Sequence, residues 1–89
     1  MVQQEVVLGN ATGLHARPAT LFVQAAKQFK ETAIQLVTET KAVDGKSILG
    51  VMSLGAKKGT TLTIRAEGPQ EVEALAALVG LVKDNFGEQ

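Results

Sequence analysis

Apolar positions along the chain change period several times, and each change marks an element. Val2, Val6 and Leu8 share one side of the first segment, with Gln4 interrupting the series, while Gln3, Glu5 and Val7 take the other. This predicts a strand that ends at the Gly9-Asn10 turn. From Ala16 the spacing becomes helical: Ala19, Phe22, Val23 and Ala26 follow i, i+3, i+4, i+7, and Lys27 and Lys30 supply cations near the C-terminal end. Leu21 falls off that stripe and is expected to stay partly exposed. Ile34 and Leu36 then alternate with Gln35, and after Thr38-Glu39-Thr40 comes a second short run, Lys41-Ala42-Val43. The pattern predicts a hairpin with a loose turn.

Asp44-Gly45-Lys46-Ser47 breaks that strand, and Ser47 has the right side chain to cap a short helix running through about Ser53. Gly50 inside so short a helix points to a close approach there. Gly55 to Gly59 turn the chain into Thr61–Glu67, the clearest period-two run, with Leu62, Ile64 and Ala66 facing inward. Gly68-Pro69 predicts the opening of a last helix with Pro69 near its first position. Glu71 and Glu73 fall in its acidic first turn, Lys83 near its end, and Gly87 is the expected stop. Its expected buried stripe is Val72, Leu75, Val79, Val82 and Phe86. The order β, α, β, β, short α, β, α defines an α+β fold: one antiparallel sheet with its helices on one face.

Eighty-nine residues make one domain, residues 1–89, with 45% hydrophobic content and only three aromatics, all Phe. The core is therefore aliphatic. Nine basic and nine acidic residues cancel, which removes the long-range field of a protein that binds nucleic acid or an anionic membrane. Cys is absent and His15 is the only histidine, so disulfides, thiolate sites and histidine-rich metal sites are excluded. The N-terminus lacks a basic signal region and no apolar run approaches a membrane span, so the expected location is the cytosol. Asn10-Ala11-Thr12 reads as a polar turn. Gly45-Lys46-Ser47 echoes the end of a phosphate-binding loop, but that pattern needs a glycine where Thr40 stands.

The segment Gly13-Leu14-His15-Ala16-Arg17-Pro18 carries the candidate chemistry. Pro18 lacks an N–H and is tolerated only in a first helical turn, which puts His15 at or beside a helix N-cap. Unpaired backbone N–H groups and the positive end of the helix dipole gather there. A ring nitrogen of His15 could act as nucleophile toward a phosphoryl group, whose oxygens would rest on the N–H groups of Ala16 and Arg17 and on the Arg17 guanidinium. The bland alternative is a surface histidine serving only as a cap.

Leu14-His15-Ala16-Arg17-Pro18 resembles the phosphorylation site of the HPr family, the histidine-containing phosphocarriers of the bacterial phosphoenolpyruvate-dependent sugar phosphotransferase system. A second block, Lys46-Ser47-Ile48-Leu49-Gly50-Val51-Met52-Ser53-Leu54-Gly55, resembles that family's regulatory serine segment. The resemblance spans essentially the whole chain. It implies an open-faced β-sandwich with strand order 1-4-2-3, which the right-handed crossover rule also allows. It implies that His15 accepts a phosphoryl group on Nδ1 from phosphorylated enzyme I and passes it to enzyme IIA domains. The protein would then be a monomeric relay component needing no cofactor, and not a stand-alone enzyme. Ser47 is expected to serve both as helix cap and as a phosphorylation site. Ile48, Leu49, Met52 and Leu21 form the expected docking patch for those partners, the HPr serine kinase/phosphorylase and the catabolite control protein. Two alternatives share the pattern: a regulatory module acting through phospho-Ser47, and a carrier of a nitrogen-linked phosphotransferase branch. The segment between the first helix and Val43 runs a residue longer than the family pattern, which leaves the register of the second and third strands open.

Overall fold

The computed structural model describes residues 1–87. Four strands, β1 (Val2–Val7), β2 (Ala33–Val37), β3 (Ala42–Asp44) and β4 (Thr61–Glu67), form one antiparallel sheet in the order β1-β4-β2-β3. Three helices accompany it: α1 (Ala16–Lys27), α2 (Ile48–Ser53) and α3 (Glu71–Lys83). The open-faced α+β architecture is the one expected.

Alternation decides which face of the sheet is covered. Val6 pairs with Leu62, Ala66 with Ile34, and Ile64 with Leu36, and all six side chains are buried. The α1 stripe Ala19, Phe22, Val23 and Ala26 packs onto them. α3 lies over β1 and β4, α2 lies beside β3, and α1 touches both other helices. The helical layer therefore runs α2, α1, α3 across the sheet.

The hairpin register is now settled: Gln35 pairs with Asp44, Leu36 with Val43 and Val37 with Ala42. Two expectations about it are corrected. The turn is closed and not loose, because the Thr38 N–H donates to the Lys41 carbonyl at 2.8 Å and the Thr38 hydroxyl oxygen accepts from the Lys41 N–H at 3.2 Å. Asp44 ends β3 instead of breaking it, and the Gly45 N–H extends the ladder to the Ile34 carbonyl at 2.8 Å.

The last helix departs most from its pattern. Pro69 stands ahead of the helix, whose N-cap is Gln70. The start is fixed from outside, by Thr32, whose hydroxyl oxygen accepts from the Gln70 N–H at 3.1 Å. The buried stripe contains Ala74 and Leu78 beside Val79 and Val82, whereas Val72 is 69% exposed and Leu75 half-buried. A segment apolar on nearly every side carries no clear period, so packing chose its rotation. Gly87 is not the stop. The helix ends at Lys83, and a left-handed turn at Asn85–Gly87 follows, with Asn85 at φ 53° and Phe86 at φ 54°. That turn folds Phe86 into the core as expected, at the cost of two strained residues.

Candidate functional site

The loop between β1 and α1 delivers His15. β1 is closed off by the Leu8 N–H donating to the Thr60 carbonyl at 2.9 Å and the Gly59 N–H donating to the Leu8 carbonyl at 2.7 Å. The Asn10 side chain is buried and its Nδ2 donates to the Gly13 carbonyl at 2.8 Å. Gly13 has φ 63°, and a Cβ there would run into the Ala56 carbonyl oxygen and lie 2.7 Å from the Lys57 Cα. Only glycine allows the two backbones to pass so closely. The Leu14 N–H then donates to the Ala56 carbonyl at 3.0 Å, and its side chain is buried.

These contacts leave a short raised stretch. Leu14 is buried before it and Pro18 and Ala19 after it, so His15, Ala16 and Arg17 are three successive exposed residues between fixed points. His15 is the N-cap of α1, with extended backbone at φ −72° and ψ −178°, and its ring makes no capping hydrogen bond. Its carbonyl accepts from the Ala19 N–H at 2.9 Å, the first helical bond. The N–H groups of Ala16 and Arg17 have no intrahelical acceptor. No acidic residue lies in the first turn, so the positive end of the dipole is left for an anion. Pro18 anchors the helix start from inside the protein and is not itself presented to a ligand.

The second block forms α2 as the cap predicts. The Ser47 hydroxyl oxygen accepts from the Gly50 N–H at 3.0 Å, and the Ser47 carbonyl accepts from the Val51 N–H at 2.9 Å. A Cβ at position 50 would stand 3.3 Å from Ser47 Oγ, which accounts for the glycine. Val51 is fully buried and holds the helix down, while Leu49 is 83% exposed, Met52 40% and Ile48 39%. Ile48 thus belongs to the exposed group and not to the core. Leu21 is half-buried on α1, which packs beside α2. The structure gathers His15, Ala16 and Arg17 at one helix start, and Ser47, Ile48, Leu49 and Met52 at another in the same layer.

Two lysines missed by sequence reading fasten these helices. The Lys46 ammonium donates to the Phe29 carbonyl at 2.7 Å and the Lys30 carbonyl at 3.4 Å, fastening the turn that follows α1. The Lys41 ammonium donates to the Ser53 carbonyl at 3.2 Å, closing α2. Neither lysine lies near a helix C-terminus in the sequence, and their acceptors are 12 to 17 residues away, so no local signal marks either. Among the described residues no cluster of acidic or histidine side chains could hold a metal ion. A groove of about 630 Å³ lies between the β2–β3 turn and residues 54–61, and His15 does not line it.

A histidine exposed at a helix start free of first-turn acids, carried on one antiparallel sheet of order β1-β4-β2-β3 with three helices, defines the class: a small open-faced α+β protein. Residues 2–84 match the family model described as the PTS HPr component phosphorylation site, and the chain belongs to the HPr family. It is 46% identical to the phosphocarrier protein HPr of Treponema pallidum over 89 residues, all of both chains. The crystal structure of HPr-C-His from Thermoanaerobacter tengcongensis superposes with a TM-score of 0.95 at 46% identity, covering 100% of this chain and 99% of that one. A crystal structure of Crh, a catabolite repression protein of Bacillus subtilis described as a swapped, intertwined dimer, matches with a TM-score of 0.76 at 46% identity, covering 96% and 97%.

Proposed function

We infer that this chain is a single-domain phosphoryl carrier of the sugar phosphotransferase system, acting in the cytosol through His15. An imidazole nitrogen attacks the phosphorus of a phosphorylated enzyme I; the new P–N bond forms as the bond from phosphorus to its donor breaks, and the reverse exchange loads an enzyme IIA domain. The N–H groups of Ala16 and Arg17 and the guanidinium of Arg17 receive the phosphoryl oxygens, where charge-assisted hydrogen bonds stabilise them. The chain turns nothing over alone. Its part is to hold the group in a form that either partner can reach.

The observation that carries this reading is the state of His15: exposed, at a helix start free of acidic residues, with its ring uncommitted to capping. A histidine kept only to cap α1 would spend a ring atom on a backbone N–H. Ile48, Leu49 and Met52, held out by buried Val51, supply the apolar docking patch, and half-buried Leu21 on the neighbouring α1 joins it. Small, mostly uncharged contacts suit fast exchange between partners.

The likeness to Crh favours a second reading, regulation through phospho-Ser47, by a serine kinase and a catabolite control protein. Ser47 caps a helix N-terminus, where a phosphate would be held by the dipole. One experiment separates the two. Incubation with phosphoenolpyruvate and enzyme I should add a single acid-labile phosphoryl group that is lost in His15→Ala. Failure to load, with acid-stable labelling by a serine kinase intact, would leave regulation as the whole function. Comparing transfer to sugar-type and nitrogen-linked enzyme IIA domains assigns the branch.

A further inference from the structure

The outer side of α3 takes no part in the reading above. Val72, Glu73, Ala76, Ala77, Gly80 and Lys83 are all exposed there. A helix with only one side on a core needs polar residues outside, and this one carries Val, Ala and Gly. Gly80 stands in mid-helix, where glycine destabilises relative to alanine. Nothing lies within 4 Å of the place its Cβ would occupy, so no internal contact requires it.

Charge says what fits this side. Glu73, Ala76, Gly80 and Lys83 follow i, i+3, i+7, i+10, which at 3.6 residues per turn is one line along the helix. The line is symmetric about the level of Leu78: 73 and 83 lie equally far from it, as do 76 and 80. We propose that α3 is a self-association surface on which a second copy of this chain packs antiparallel, each Glu73 facing the other's Lys83 and each Ala76 facing the other's Gly80. A two-fold axis makes both ion pairs at once, and the small residues between them let the backbones approach.

The helix dipole accounts for an acid in the first turn and a base in the last. It does not account for both lying on one line with the two smallest residues between them. Among the described residues the one ion pair is that of the Met1 ammonium with Glu71, so Glu73 and Lys83 have no carboxylate or ammonium partner there. α1 separates α3 from α2, so the pairing leaves Leu49 and Met52 uncovered. One face of a 13-residue helix buries less than the ~800 Å² per partner of a stable complex. The dimer is therefore a weak one.

The test is sedimentation of the full chain from ~20 μM to ~2 mM, at low and high salt. Self-association should weaken with salt. Glu73→Lys or Lys83→Glu alone should weaken it about tenfold, the double exchange should restore it, and Gly80→Leu should abolish it while circular dichroism stays helical. Phosphoryl loading should be unchanged throughout. A chain monomeric at every concentration overturns the proposal, as does a dimer indifferent to salt and to all four variants. The charge exchange opposes the helix dipole; if the double variant melts early, the salt dependence of the unmodified chain and the Gly80→Leu result decide.

Discussion

The Leu14 amide donates to the Ala56 carbonyl at 3.0 Å, one residue before His15. That bond ties the approach to α1 to the loop leading into β4, and the left-handed Gly13 makes it reachable. The position of the histidine is therefore set by a contact 42 residues away in sequence. Disturbing that contact should reach the chemistry without touching the ring.

Gly13→Ala is the direct test. The substitution forces a side chain into the left-handed region and against Ala56, together costing roughly 2–4 kcal/mol. A lower melting temperature with slower phosphoryl loading is expected. Gly55→Ala, where φ is 60° but nothing lies within 4 Å, should cost only the backbone part, about 1–2 kcal/mol. Equal melting temperatures for the two would show that the Ala56 contact contributes nothing.

His15→Ala should abolish loading and leave stability within about 0.5 kcal/mol, since the exposed ring caps nothing. Arg17→Ala should keep loading but slow it, through one lost charge contact to the phosphoryl oxygens. Stopped-flow transfer in both directions checks this. Unchanged rates would reduce Arg17 to a solvated charge.

Ser47→Ala should lower stability by about 0.5–2 kcal/mol because it removes the acceptor for the Gly50 N–H, while Ser47→Asp should retain the cap. In enzyme I binding, Ser47→Asp should dock more weakly than wild type through charge beside the apolar patch. Met52→Ala should also weaken docking, through lost contact area. Calorimetric affinities alongside thermal melts separate the two effects, and equal affinities for all three proteins would remove the patch from the mechanism.

The Glu71 carboxylate accepts from the Gly68 N–H at 3.3 Å and from the Met1 ammonium at 3.1 Å, and these contacts, the backbone bond first, hold it below the usual glutamate range. Its folded value lies under its unfolded one, so its stabilising contribution is complete above the unfolded value. It is lost as pH falls through the lowered folded value. Glu71→Gln should flatten that acid limb of a melting-temperature profile. Parallel acid limbs for the two proteins would count against the pairing.

Local pattern alone determined much of this protein. The α1 stripe, the β4 alternation, the Ser47 cap and the helix start at His15, signalled by Pro18, each follow from the spacing of neighbours or from one residue's backbone limits, and each stands where it was expected. The exposed histidine was legible for the same reason. What only the tertiary structure decided depends on partners far along the chain. Thr32 sets the start of α3, a helix apolar on nearly every side takes its rotation from the sheet beneath it, and Phe86 accepts left-handed backbone to reach the core. Lys46 and Lys41 fasten segments to which no periodicity links them. A sequence states its short-range preferences one turn at a time. Contacts between distant segments are settled only when the whole core closes, because burial there outweighs the cost of a strained turn or a displaced helix end.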